Sequence, residues 1–205
     1  MKKTILIIAS LLISFVGISQ TAGNYILVIN NDTLQIDLDK QVSYQTKGGE
    51  ELAISITQPE VLTYSDDMIS FSYSKQWSVS NSELEEGIEQ CMVVNSTGNG
   101  FMIQKYNTLD PSSLTRLMLR EITKESVSYG YRKTESKFVK KLKSGQRIEG
   151  VRARLSYQGE EEIYTVATYG EDDRGIVVVT MLLSSEEDEG KDLINLFMNT
   201  LAIKD

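Results

Sequence analysis

The sequence predicts an α+β protein whose main domain is a sheet with helices on both sides, preceded by a small segment of β-hairpins. Three observations lead to this fold class. Runs in which β-branched or aromatic residues alternate with polar ones recur along the chain, as they do in strands. Two segments instead carry apolar residues at helical spacing. Between these two segments, residues 176–179 are apolar at every position, which is typical of a central strand buried on both faces.

Residues 1–19 predict a secretory signal peptide. Two lysines precede an apolar run that ends in small residues at Gly17 and Ser19, which suit a signal peptidase. The run is shorter than the roughly 20 residues that span a bilayer, so a retained membrane anchor is the less favoured alternative. We therefore expect cleavage after Ser19, no stable membrane insertion of the mature chain, and a location in the bacterial periplasm or outside the cell.

The composition fits one ordered globular body of modest size. The chain has 205 residues, 40% of them apolar and only two of them proline, which is enough for one good core or for one domain with an appendage. Its formal net charge of −8 would repel nucleic acid and anionic lipid surfaces. We therefore expect no nucleic-acid partner.

The composition also restricts the chemistry available to the chain, which has no histidine and one cysteine. Serine–histidine and cysteine–histidine catalysis are thereby excluded within one chain, and the commonest transition-metal ligand is missing. Cys91 lies in an apolar, strand-like run and has no partner for an intramolecular disulfide, so we expect a buried, unreactive thiol. No residue is nominated as catalytic, as a cofactor ligand or as a metal ligand.

Residues 20–60 are predicted to form a segment of two β-hairpins. The four strand-like runs cover residues 25–29, 33–38, 41–46 and 51–57. Asn30, Asn31 and Asp32 suit the left-handed backbone of the first tight turn, and two glycines serve the second. Four short strands bury little by themselves, so we interpret them as an appendage. Pro59 then interrupts the periodicity and places the domain boundary within residues 58–66.

The main domain, residues 64–205, is predicted to begin with a polar turn at Tyr64-Ser65-Asp66-Asp67. Strands follow at residues 68–73, 90–95 and 101–106. Asp110 and Pro111 then indicate the start of the first helix, as a capping side chain followed by a proline in the first turn. The helix is expected to end near Gly130. Its predicted apolar face comprises Leu114, Leu117, Met118 and Ile122.

Three extended runs and a second helix complete the main domain. The runs cover residues 151–157, 163–169 and 176–179. The second helix is predicted over about residues 185–202. Its expected buried stripe comprises Leu193, Ile194, Phe197, Met198 and Leu201. The acidic run 186–189 falls in the first turn of this helix, where carboxylates complement the helix dipole, and this interpretation is favoured over a calcium site.

Several other features favour ordinary structural roles over a functional site. The acidic runs 160–162 and 171–173 lie beside turns, and no acid–base pair can be chosen among them without distances. Gly98-Asn99-Gly100 precedes a strand and predicts a hairpin turn, not a phosphate-binding loop. Trp77, the only tryptophan, is interpreted as a buried anchor in preference to a ligand platform.

One stretch carries a local excess of positive charge. It comprises Lys133, Lys137, Lys140, Lys141, Lys143 and Arg147. Such a cluster would suit an acidic partner. Because the stretch also contains apolar residues, a solvated loop and edge strand is the favoured interpretation.

The order of elements in the main domain is similar to that of a known superfamily. The segments concerned are Ile69 to Tyr73 leading to Trp77, the strand ending in Gln104-Lys105-Tyr106, the helix from Pro111, Gly150 to Tyr157, Gly175 to Thr180, and the closing Phe197 to Leu201. Residues 64–205 thus resemble the PsbP-like superfamily, which includes the extrinsic photosystem II subunit and DcrB-like envelope proteins. The resemblance implies an α/β/α sandwich around a central, mainly antiparallel sheet. It also implies relatives that act as accessory, docking or stabilising subunits, with no catalytic residues to carry over.

The function predicted from the sequence is that of a secreted, non-enzymatic envelope accessory protein that docks onto or stabilises an envelope protein. The alternative is a small-ligand or glycan-binding module, in which the hairpins of residues 25–57 and the ten tyrosines supply the contact surface. A less favoured alternative is a carboxylate-based hydrolase, because acidic residues alone can perform such chemistry. No cofactor is expected.

Overall fold

The structure is a computed structural model, and it describes residues 25–183 and 188–204. The predicted signal peptide and residues 186 and 187 of the acidic run lie outside the described residues. The chain divides into two compact units, Met1–Gln58 and Pro59–Asp205. Within the part of the chain that the structure describes, no helix has the length and apolarity needed to cross a lipid bilayer.

The described part of the smaller unit consists of two antiparallel hairpins. The strands are β1 (Tyr25–Ile29), β2 (Asp32–Ile36), β3 (Gln41–Gln45) and β4 (Glu51–Ser55). Strand β1 pairs with β2, and β3 pairs with β4. Asn30, in the first turn, has a φ of 54°, a left-handed conformation that asparagine tolerates. The hairpins are connected by a parallel bridge between Leu38 and Ile56 and by a 2.8 Å hydrogen bond from the Tyr44 hydroxyl to Asp32 Oδ2.

The larger unit is mostly antiparallel sheet with two helices, which is the predicted α+β class. The strands are β5 (Val61–Ser65), β6 (Ile69–Ser74), β7 (Ser80–Glu85), β8 (Ile88–Val94), β9 (Gly100–Tyr106), β10 (Arg132–Lys141), β11 (Arg147–Tyr157), β12 (Glu160–Glu171), β13 (Arg174–Leu182) and β14 (Ala202–Ile203), and the helices are α1 (Thr115–Tyr129) and α2 (Asp188–Thr200). Seven strands form one sheet in the order β10-β11-β12-β13-β9-β8-β7. A three-stranded sheet has the order β14-β6-β5.

The core of the larger unit divides into two clusters, because alternate residues of a strand point to opposite faces of a sheet. In one cluster, Leu119 of α1 lies with Leu155 and Val177. In the other, α2 and the three-stranded sheet pack on the opposite face, and the Phe197 ring stacks 3.7 Å from the Phe101 ring. Residues 176–179 of β13 are each at most 2% exposed and contribute to both clusters, as predicted for a central strand.

The first helix begins later than predicted, and its packed face differs at one position. Asp110 caps a 3₁₀ turn, Pro111–Leu114, and the α-helix starts only at Thr115. Of the predicted face, Leu114, Met118 and Ile122 are partly buried and pack against the core, as expected. Leu117 is instead 48% exposed, and Leu119 is buried.

The end of the second helix and the start of the main domain's first strands were also predicted wrongly. Both depend on strand pairing between residues that the local sequence pattern does not reveal. The second helix ends at Thr200, and Ala202–Ile203 form β14 against β6 instead of a last helical turn. The Thr200 hydroxyl accepts a 2.9 Å hydrogen bond from the Ser72 amide, which holds the helix end against β6. Tyr64 and Ser65 were predicted as a turn but belong to β5, which pairs with β6.

Candidate functional site

A buried lysine links the two sheets of the larger unit. Lys105 on β9 is only 4% exposed. Its ammonium nitrogen lies 2.8 Å from Asp66 Oδ2, in the turn between β5 and β6, and 2.6 Å from Glu89 Oε2 on β8. Burying an ammonium is costly unless charges and hydrogen bonds compensate it, and two carboxylates do so here. We call these three residues and Tyr64 the Lys105 network.

Asp66 is the most constrained member of the Lys105 network. Its Oδ1 accepts hydrogen bonds of 2.9 and 2.8 Å from the amides of Met68 and Ile69, and its Oδ2 accepts one of 2.9 Å from the Tyr64 hydroxyl. Burial by itself raises the pKa of Asp66, but Lys105 and the two amides outweigh burial and bring the pKa below its ordinary value. The carboxylate is therefore held in its ionised form.

The Lys105 network is poorly suited to moving protons. Burial by itself lowers the pKa of Lys105, but the hydrogen bonds donated to Asp66 and Glu89 outweigh burial and raise the pKa above its ordinary value. Burial and the hydrogen bond to Asp66 raise the pKa of Tyr64 to about 12. A lysine that stays protonated is not a nucleophile, and a general acid or base works best with a pKa near the operating pH. The geometry thus favours a structural role.

Cys91 lies in β8, on the same side of the sheet as α2. It is fully buried, as predicted, and burial raises the pKa of its thiol to about 12. Because the thiolate is the reactive form, both burial and the raised pKa oppose chemistry at this sulfur.

Three tyrosines form a partly exposed aromatic surface where α1 ends. Tyr129, Tyr131 and Tyr157 have ring centroids 5.3 to 6.3 Å apart. Tyr129 is 72% exposed, and the other two are half-buried. The cause is local: Gly130 caps α1 with a φ of 118°, a conformation that favours glycine. The chain reverses there, so the rings on either side of Gly130 both reach Tyr157 on β11. We call these three residues the tyrosine cluster.

Hydrogen bonds from neighbouring side chains hold two rings of the tyrosine cluster. The Tyr131 hydroxyl donates a 2.7 Å hydrogen bond to Glu160 Oε2, and Gln158 Nε2 donates a 3.0 Å hydrogen bond to the Tyr157 hydroxyl. The bond to Glu160, together with desolvation, raises the pKa of Tyr131 to about 12. The cluster is therefore an ordered aromatic surface beside a carboxylate.

The sequence prediction counted these residues among ten tyrosines of a contact surface, but it did not indicate that Tyr129, Tyr131 and Tyr157 meet. A signal was available in Tyr129-Gly130-Tyr131, where a helix-ending glycine has an aromatic residue on each side.

The predicted basic stretch does not form one patch. Strand β10 is an edge strand of the seven-stranded sheet, which confirms the edge-strand interpretation of this segment. Lys137 and Arg147 both pair with Glu149, at 3.5 and 3.0 Å. Lys140, three residues along the strand from Lys137, points to the opposite face and donates a 2.8 Å hydrogen bond to Asn199. Lysines along an exposed edge are a common protection against edge-to-edge aggregation.

Trp77 fits the predicted role of an anchor only in part. It is half-buried and packs against the core cluster on the α2 side. It also lines an open groove of about 430 Å³, in which Gln76 Nε2 donates a 3.0 Å hydrogen bond to Glu189. Gly98 and Asn99 lie in the predicted turn between β8 and β9, and Gly100 is the first residue of β9. Among the residues that the structure describes, no group of three or more acidic or cysteine side chains could hold a metal ion.

The geometry defines the larger unit as an α+β domain with a partly exposed aromatic surface and an internal ion network. No protein-family model and no curated protein matches the chain. Among solved structures, the chain is similar to the solution structure of cyanobacterial PsbP (CyanoP) from Synechocystis sp. PCC 6803, with a TM-score of 0.45 and 11% identity over 71% of this chain and 93% of that one.

The chain is also similar to a crystal structure from Bacteroides thetaiotaomicron VPI-5482, with a TM-score of 0.38 and 12% identity. That alignment covers 67% of this chain and 45% of the other chain. At these TM-scores and identities, neither similarity assigns this chain to a family or gives it an activity.

Proposed function

We propose that this chain is an exported, non-enzymatic envelope protein whose larger unit, a PsbP-like α/β/α sandwich, docks onto or stabilises a protein partner. The observation that carries the proposal is the tyrosine cluster. The apolar leader of residues 1–19 supports export. The resemblance of residues 64–205 to a superfamily of accessory subunits supports a docking role.

Tyrosine suits protein recognition for physical reasons. Its ring buries a large apolar area, its hydroxyl keeps a polar contact, and it has only two side-chain torsions to immobilise. In the tyrosine cluster, the hydrogen bonds of Tyr131 and Tyr157 order the rings before a partner arrives, which lowers the entropic cost of binding.

The state of the potentially reactive groups supports a role without catalysis. The thiol of Cys91 is buried, and the charge on Lys105 is held by two carboxylates. The pKa values of both groups are raised, and both therefore stay protonated at neutral pH.

Affinity capture from the native envelope tests the docking proposal. The bait is the full chain, in wild-type form and as Tyr129→Ala, and the matched control is Leu84→Ala, which removes an exposed apolar side chain from edge strand β7. We expect one partner to return consistently with the wild type and the control, and at least tenfold less of it with Tyr129→Ala. Repeated captures without a consistent partner would refute docking, and full retention by Tyr129→Ala would refute the tyrosine cluster as its site.

Glycan binding by the same cluster is the second candidate, because partly exposed tyrosine rings offer an apolar face next to polar groups of Gln158 and Glu160. Thermal shift with fragments of envelope polysaccharide separates the two functions, since a ligand that binds only the folded state raises the melting temperature. A rise that disappears in Tyr129→Ala would favour a glycan. No rise with any fragment would remove this candidate.

A further inference from the structure

An open groove of about 460 Å³ lies beside α2, on the face of the seven-stranded sheet that α2 covers. Its floor contains a row of three side chains on neighbouring strands, because Arg152 of β11 is paired with Thr165 of β12, and Thr165 with Thr180 of β13. Its wall includes Lys191 and Ile194 of α2. Ligand sites are commonly concave and of about 300 to 1,000 Å³, so the groove has the size of a small-molecule site.

The guanidinium of Arg152 is fixed in the groove. Its Nε donates a 3.2 Å hydrogen bond to the hydroxyl of Thr165, which is 3% exposed. Its central carbon lies 5.1 Å from the centre of the Phe138 ring, a distance suited to a cation–π contact. These contacts use one of the five N–H donors of an arginine, and the donors on the two terminal nitrogens remain. A planar guanidinium held in place is suited to binding an oxyanion through two parallel hydrogen bonds.

The charge of the groove is opposite in sign to that of the chain. Arg152 and Lys191 are positive and Glu161 is negative, so the lining carries a formal charge of +1 in a chain of −8. Glu161 is paired with Arg154 at 2.8 Å and Lys191 with Asp188 at 3.1 Å, so the excess positive charge of the lining is that of Arg152. Within residues 25–183 and 188–204, none of the ion pairs involves Arg152. A single excess positive charge favours a monoanion over a doubly charged phosphate.

The rest of the lining is apolar. Ile163, Leu182 and Ile194 line the groove around the polar row. A ligand that matches both the polar row and the apolar lining has a charged oxyanion head and an aliphatic body.

We propose that this groove binds a monoanionic amphiphile, namely a carboxylate joined to an aliphatic chain, with Arg152 holding the carboxylate and the three apolar side chains contacting the chain. The site is separate from the tyrosine cluster, and the proposal does not depend on protein docking.

Calorimetric titration of the purified full chain tests the site with three probes: decanoate below its micelle concentration, acetate and decanol. We expect saturable binding of decanoate, and at least tenfold weaker binding of acetate, which lacks the aliphatic body, and of decanol, which lacks the charge. Inorganic phosphate should also bind weakly. Equal binding of decanol and decanoate, or no saturable binding of decanoate, would overturn the proposal.

Two variants identify the residue responsible. Arg152→Gln should weaken decanoate binding by about 10- to 100-fold, the loss expected for a charge-assisted hydrogen bond. Arg132→Gln is the matched control, since it removes the same charge from an exposed position on the neighbouring strand β10, outside the groove lining. Arg154 is unsuitable as a control because it is the ion-pair partner of Glu161 in the groove. It should change the affinity by less than about twofold. Equal losses in both variants would indicate nonspecific charge attraction and refute the site.

A measurement on the wild-type protein covers the case in which Arg152→Gln fails to fold. Decanoate added to the isotope-labelled chain should shift the amide resonances of Thr165, Thr180 and Ile194. Shifts confined to the tyrosine cluster or to residues 25–57 would place the ligand elsewhere and refute the proposal.

Discussion

Lys105 holds one positive charge where water has little access, between Asp66, whose side chain is 19% exposed, and Glu89, whose side chain is 50% exposed. The three residues come from β9, the β5–β6 turn and β8, so the ion network ties the three-stranded sheet to the seven-stranded sheet. Breaking a buried ion pair by removing one partner costs more than the pair contributes, because the other charge is left without compensation.

Lys105→Met is therefore expected to lower the free energy of unfolding by about 3 kcal/mol, the low end of the range for buried pairs, since the half-exposed Glu89 regains water. Urea denaturation measures the change. Lys133→Met is the control, because Lys133 pairs with Glu135 at the surface, and it should cost less than about 1 kcal/mol. Similar losses in the two variants would show that the Lys105 network contributes no special stability.

Asp66 gives stability a defined pH dependence. Its folded-state pKa is lower than the ordinary value of 3.8, so its ionised form stabilises the fold above that pH. This contribution is lost as the pH falls through the lowered folded-state pKa. The contribution of Lys105 has the opposite pH dependence. Because its pKa is raised, Lys105 stabilises the fold at pH values below its ordinary pKa of 10.5, and this contribution is lost as the pH rises through the folded-state pKa.

Asp66→Asn should therefore be less stable than the wild type at about pH 6. The difference should shrink as the pH falls below 3.8 and through the lowered folded-state pKa of Asp66, because the wild-type side chain then becomes neutral as well. Urea unfolding across this pH range provides the measurement. Asp172→Asn, in the exposed turn between β12 and β13, is the control and should show little difference at any pH. A difference for Asp66→Asn that is constant with pH would mean that the carboxylate charge contributes nothing.

At the scale of elements, a group of three aromatic rings joins α2, the three-stranded sheet and the seven-stranded sheet. The Phe197 ring stacks on Phe101 and meets Phe71 edge-on at 5.4 Å. All three side chains are at most 1% exposed. A ring in contact with one strand of each sheet is an essential part of the core, because a cavity there would loosen two layers together.

Phe197→Ala should destabilise the protein by about 3 to 5 kcal/mol, the range for removing a buried phenylalanine. The change is measured by chemical denaturation followed by circular dichroism. Leu117→Ala on the exposed side of α1 serves as the control and should stay within about 0.5 kcal/mol of the wild type. A near-neutral result for Phe197→Ala would contradict the docking of α2 on the sheet.

The elements that the sequence predicts well are those with local signals. The alternation of Val151, Ala153 and Leu155 marks β11, and the unbroken apolar run of residues 176–179 marks the centre of the sheet. The elements missed or misplaced depend on distant partners. Strand β14 has only two residues and exists because β6 lies beside it, and the 3₁₀ turn before α1 has no periodic signature.

At the scale of the whole molecule, the candidate sites are less predictable than the fold. Lys105 meets Asp66, 39 positions away in the sequence, because β8, β9 and the β5–β6 turn converge. Arg152, Thr165 and Thr180 form a row only through strand register. Composition excluded catalysis that needs a histidine, but the juxtaposition of side chains from different strands needed coordinates.

The sequence also predicts that the protein is exported. This prediction depends on the positive charge and on the length of the apolar run in residues 1–19. The two lysines and the apolar run of the leader are the parts that a secretion machinery recognises, and the run is short for a membrane span. The exported form should therefore begin at Gln20 and lack residues 1–19, as measured by mass spectrometry of the secreted or periplasmic fraction. As a control, Gly17→Leu together with Ser19→Leu should block cleavage, because the peptidase pocket requires small side chains. Recovery of wild-type chains that retain Met1 in the membrane fraction would contradict processing and indicate an anchored protein.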